Sequence, residues 1–79
     1  MTGDLTQRQR DFLQAAYLAA WRDGRIFKPG LVCEWLEMVD DCPRIVRDLE
    51  KAGLLDNLPD GEAILTDRGR AMGAALGSN

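Results

Sequence analysis

The sequence predicts a mainly α domain with a small β-hairpin: about four helices and a two- or three-stranded antiparallel sheet. Three features of its second half predict this. Residues 42–52 repeat apolar side chains at helical spacing, Gly53 stands where the repeat stops, and a Pro-Asp-Gly turn at 59–61 separates two short apolar runs. At about 100° per residue, Cys42, Ile45, Val46, Leu49 and Ala52 share one helix face. Arg44, Arg47 and Lys51, spaced i, i+3, i+7, share the opposite face. Pro43 suits a first helical turn, where its missing N–H is not needed. Asp40 or Asp41 is placed to cap the exposed amides, and Gly53 to end the helix in a left-handed conformation.

The remaining elements follow from similar signals. Residues 1–5 are expected to fray, being a polar terminus. Thr6 and Gln9 form a T-x-x-Q capping box, which starts a helix running from about Gln7 to Arg22 and ending near Gly24. Gln9, Phe12, Leu13, Ala16, Tyr17 and Ala20 make its inner face, while Leu18 and Trp21 fall on the other side. That second patch is covered either by the C-terminal helix or by a partner. Arg25 to Lys28 contains an apolar pair that fits a third short strand. Pro29-Gly30 opens a second helix to about Val39, with Leu31, Val32, Trp35, Leu36 and Val39 inward and Glu34 and Glu37 outward. Trp35 is read as a core anchor.

Leu54 and Leu55 begin the hairpin, Gly61 supplies a positive φ at its turn, and Ala63 to Leu65 return. Thr66 reads as the N-cap of a last helix, Asp67 to about Leu76. Gly69, Gly73 and Gly77 weaken that helix in isolation and give it a smooth side that another helix can approach closely. Residues 77–79 are expected to be disordered.

Composition bounds the function. A chain of 79 residues makes one domain with a small core. No apolar run approaches the roughly 18 residues of a membrane helix, and the N-terminus lacks a signal segment, so a cytoplasmic location is expected. Two cysteines are too few for a disulfide framework; Cys42 reads as a buried free thiol and Cys33 as more exposed. The chain has no histidine, no CxxC pair and no phosphate-cradling glycine motif. The acids are scattered over exposed faces or serve as caps. These features point to a binding protein without catalysis, metal or cofactor.

The run Ile45-Val46-Arg47-Asp48-Leu49-Glu50-Lys51-Ala52-Gly53-Leu54-Leu55, followed after the turn by Leu65-Thr66-Asp67-Arg68-Gly69-Arg70, resembles the recognition helix and wing of a winged helix-turn-helix domain. Its spelling is most similar to MarR-type regulators, over the C-terminal half of the chain. The resemblance implies a third helix lying in the major groove of duplex DNA with the wing on the adjacent backbone. Arg44, near the helix N-terminus, is then placed for base edges, and Arg47 and Lys51 for phosphates. Arg8 and Arg10 on the first helix, and Arg68 and Arg70 on the last, add cations. For each arginine taken alone, solvating an exposed helix face is the more common role.

The local charges also support a second reading. The formal charge is −3, and the wing, Asp56 to Glu62, holds no lysine or arginine. Asp40 and Asp41 repel phosphate and occupy the amides an anion would use. On that reading the chain is an acidic protein–protein interaction module for a partner with a basic surface, imitating DNA there. Leu18, Trp21, Leu58, Asp60 and Glu62 would form the contact, and the apolar patches would also serve a homodimer.

Overall fold

The computed structural model describes residues 5–22 and 26–77, with all their side chains except those of Trp21 and Arg22. In chain order the elements are α1 (Gln7–Arg22), β1 (Ile26–Phe27), α2 (Pro29–Trp35), α3 (Cys42–Lys51), β2 (Leu55–Asn57), β3 (Ala63–Leu65) and α4 (Asp67–Gly77). The three strands form an antiparallel sheet in the order β1-β3-β2, with Ile26 opposite Ile64 and Leu55 opposite Leu65. This is a winged-helix architecture. The end of α1 near Gly24, the strand residue Arg25 and the tail Ser78-Asn79 lie outside the described residues.

The start of α1 follows the capping box. The Thr6 amide donates to Gln9 Oε1 at 2.9 Å and the Gln9 amide to Thr6 Oγ1 at 3.1 Å. Leu5, expected to fray, instead packs against the core, because the box fixes the direction in which the chain enters the helix. Phe12, Leu13, Ala16 and Ala20 are buried as the periodicity requires, and Phe12 meets Phe27 edge to face with ring centroids 6.1 Å apart. Leu49, Leu54 and Leu55 close the same core from α3 and β2.

The second helix departs from expectation in both length and rotation. It ends at Trp35, and Val39–Asp41 form a separate 3-10 turn. The Glu37 amide donates to the Glu34 carbonyl at 3.1 Å, the Met38 amide donates to the Cys33 carbonyl at 2.9 Å, and Glu37 has φ 57°. These bonds make a Schellman motif with glutamate at the left-handed position. The inner stripe is Pro29, Val32, Cys33 and Leu36, while Leu31, Trp35 and Val39 are exposed. Trp35 is therefore not a core anchor. Small Cys33 lets α2 lie close to its neighbours at a point where an indole would hold the elements apart.

The same motif ends α3. The Gly53 amide donates to the Glu50 carbonyl and the Leu54 amide to the Leu49 carbonyl, both at 3.0 Å, with Gly53 at φ 78°. Thr66 then joins three elements. Its amide donates to the Leu54 carbonyl at 3.1 Å, and its hydroxyl donates to the Gly53 carbonyl at 2.6 Å while accepting from the Gly69 amide at 3.1 Å. Gly69 lies so close that an added Cβ would sit 1.8 Å from the Leu54 carbonyl oxygen. One helical turn on, a Cβ at Gly73 would sit 2.6 Å from Tyr17 Cβ, so the smooth side of α4 is what lets it lie on α1. Helix α4 continues to Gly77, one residue past the expected end.

Two stability predictions follow from this backbone. Glu37→Gly should stabilise the fold by about 0.5–1 kcal/mol, the left-handed strain relieved less the added freedom of the unfolded chain, and should raise the melting midpoint by several degrees. Gly69→Ala should cost about 2–3 kcal/mol in urea unfolding, because a backbone carbonyl cannot swing aside as a side chain can.

Candidate nucleic-acid interface

The candidate site begins with the exposed side of α3. Pro43 sits in its first turn, and Ile45 and Leu49 fix its rotation by being buried, with Cys42, Val46 and Ala52 half-buried beside them. Cys42, expected to be fully buried, is thus partly accessible, and Cys33, expected to be the more exposed thiol, is the buried one. With the apolar side held inward, Arg44, Arg47 and Lys51 must face out, and all three are exposed. They span an arc of roughly 60° and about 10 Å of helix axis. None of them is in an ion pair with another described residue.

The expected aspartate cap does not form. Asp41 occupies the N-cap position of α3 without a side-chain capping bond, and its carboxylate instead pairs with the Arg8 guanidinium. Gln9 Nε2 similarly donates to Asp48 Oδ2 at 3.1 Å. The first turn of α1 is therefore clamped to the start and middle of α3. Arg8, expected to be available to DNA, is engaged by Asp41, although a surface pair of this kind is weak and exchangeable. Arg10 is exposed on α1 one turn before Gln14, and has a partner of its own. Arg68 and Arg70 lie at the start of α4, with Arg68 Nη1 reaching within 3.8 Å of the Cβ position of Gly53. Arg68 thus lies just past the C-terminal end of α3, while Arg8 lies at its N-terminal end.

The wing is short and acidic. Three-residue strands flank a loop closed by the Leu58 amide donating to the Glu62 carbonyl at 2.8 Å. Asp60 (φ 67°) and Gly61 (φ 74°) are both left-handed, so the turn uses two such residues where the sequence suggested one. Asp56 and Asp60 are exposed and Glu62 is half-buried. Asn57 Nδ2 donates to Glu50 Oε1 at 3.1 Å, tying the hairpin to α3. Between them lies an open groove of about 480 Å³ whose lining includes Val46, Arg47, Glu50, Leu58 and Glu62. Leu58, expected as an anchor at the wing tip, is half-buried and lines this groove.

No family model matches the chain, and no curated protein or solved structure is similar enough to count as a match. The geometry therefore has to carry the reading.

The other expected contact residues lie elsewhere. Leu18 is 52% exposed, because α4 packs along the Leu13–Tyr17 side of α1 and leaves it uncovered. The Trp21 side chain lies outside the described residues. Sequence reasoning missed that Leu18 has Trp35 of α2, 68% exposed, as its neighbour across the α1–α2 seam. The apolar residues all round α2 were the available signal.

Among the described residues, no group of three or more histidine, cysteine or acidic side chains could hold a metal ion. No described helix is long and apolar enough to cross a membrane. Burial, reinforced by the neighbouring Cys42 thiol, pushes the Cys33 thiol up to about 12. Cys33 therefore stays a neutral thiol, and an aromatic disulfide reagent at pH 8 should label one cysteine per native chain, Cys42, and both after denaturation. Because Cys33 has a raised pKa, its contribution to stability is intact below about pH 9 and declines as pH rises toward 12.

Proposed function

We propose that this chain is a non-catalytic winged-helix regulator that binds duplex DNA through α3. The observation that carries the reading is the exposed trio Arg44, Arg47 and Lys51, aligned over two helical turns and free of ion pairs with described residues. Arg44, in the first turn of α3, is assigned to base edges, where a guanidinium can fork onto guanine O6 and N7. Arg47 and Lys51 are assigned to phosphates, which set register without specifying sequence. The MarR-like spelling of residues 45–55 supports the same assignment.

A specific observation favours a second reading. The hairpin presents Asp56, Asp60 and Glu62 with no base among residues 56–62, and it is held against Glu50. A wing so charged does not grip phosphate. It fits the basic surface of a protein partner, in which case the chain is an interaction module that does not itself bind DNA.

The two readings separate by salt and by mutation. If DNA is the ligand, fluorescence anisotropy on host-genome fragments should show log K falling against log salt with a slope of roughly −2 for the two phosphate-neutralising cations, Arg47 and Lys51. The Arg44→Ala/Arg47→Ala variant should lose at least a hundredfold in affinity, while Asp56→Asn/Asp60→Asn should gain. Unchanged binding in the arginine double variant would sink the DNA reading.

A further inference from the structure

A surface separate from the exposed face of α3 remains unexplained. Helices α1 and α2 meet along a seam that holds two open depressions, of about 180 and 470 Å³. Ala15 and Leu18 of α1 line the first and Ala19 the second, while Trp35 of α2 and the Leu36 that follows it line the first and Leu31 and Val32 the second. The depressions therefore lie end to end along one groove, with an alanine-lined floor and large apolar walls. Leu18, Leu31 and Trp35 are 52, 59 and 68% exposed, and Ile26 continues the apolar surface at the far end. Side chains of this size, exposed to this degree, make a patch on the order of 300–400 Å², the size that marks interaction sites. Among the described residues the smaller depression shares no lining residue with the groove between α3 and the wing, and the larger shares Glu62 alone.

The charges around the groove indicate what fits it. Asp11 lines one depression and Glu62 the other, and Glu34 and Glu37 stand exposed on and just past α2. Lys28 is the one base among the described lining residues. A second copy of the chain seated on this face would set acid against acid across a two-fold axis. It would also have only about half of the roughly 800 Å² per partner that a stable pair buries. A cationic helix sets base against acid and, being narrow, matches a strip of this size. Its apolar stripe can enter between the walls at i, i+3/i+4 and i+7 while its bases meet the acidic rim. From Asp11 to Ala19 the seam runs about 12 Å along α1, so the stripe needs two to three helical turns.

We propose that the α1–α2 seam is a docking groove for a basic amphipathic helix of a partner protein. Leu18, Leu31 and Trp35 grip its apolar stripe, and Asp11, Glu34 and Glu37 hold its lysines or arginines. The groove leaves the exposed face of α3 available, so it operates whether or not α3 is engaged.

The test uses the full chain and two synthetic 14-residue helices. One carries leucine at i, i+4, i+7 and i+11 with lysine at the outward positions, and its twin has glutamate in place of lysine. The lysine helix should bind at least tenfold tighter in anisotropy titrations and shift the amide resonances of Leu18, Leu31 and Trp35. Trp35→Ala, at an exposed position, should weaken it at least tenfold, Glu34→Lys/Glu37→Lys should reverse the order of the two helices, and Asp56→Asn/Asp60→Asn should change nothing. Equal affinity for the twins, no binding by the lysine helix, or resonance shifts confined to residues 56–60 would overturn the proposal. A dimer in sedimentation that Trp35→Ala dissolves would assign the face to a second copy and overturn it equally.

Discussion

Thr66 sits where three parts of the chain converge, and the orientation of α3 depends on that convergence. Its amide and hydroxyl hold the carbonyls of Leu54 and Gly53 at the end of α3, and the same hydroxyl caps the first turn of α4. The absence of a side chain at Gly69 is what allows the approach, since a backbone carbonyl occupies the space a Cβ would need. Leu49 and Leu54, both fully buried, add the apolar contact that accompanies a Schellman turn. Without this junction α3 would still be an amphipathic helix, but the angle at which the hairpin leaves it would rest on the exposed Asn57–Glu50 bond and the burial of Leu55. The cationic face and the wing are therefore placed relative to each other mainly by backbone groups and one hydroxyl, with the Asn57–Glu50 bond added at the surface.

Charge on the candidate interface is mixed along its length, and this matters more than the net value. Arg44, Arg47 and Lys51 alternate on α3 with Asp48 and Glu50, and both acids accept a side-chain amide, from Gln9 and Asn57. Neutral amides orient those carboxylates without cancelling them. The acids hold α1 and the hairpin against α3 while the bases stay available. Arg8 is the exception, since its guanidinium meets Asp41 across 33 residues of sequence.

How much could be read from residues alone depended on whether the deciding contact was local. Helix α3, its stop at Gly53, the capping box at Thr6 and the cap at Thr66 are all set within a few positions, and their spelling carries them. Helix α2 is apolar nearly all round, so periodicity could not choose which side faces in, and its left-handed stop falls on a glutamate where glycine is the usual signal. Trp35 was misplaced for that reason. The Arg8–Asp41 pair had no local signal because its partners are remote, and the half-burial of Leu58 had none because the path of a five-residue loop is set by the turn geometry at Asp60 and Gly61. The α1–α2 seam, made from two helices whose relative rotation is a tertiary property, had no local signature.

Strand β1 is only two residues long, yet it pairs with β3, the central strand, and Lys28 and Pro29 follow it directly into α2. The hairpin is thus spliced mechanically to the first turn of the helix that precedes α3. A ligand that displaced the central strand would act directly on β1, and Lys28 joins β1 to the first turn of α2.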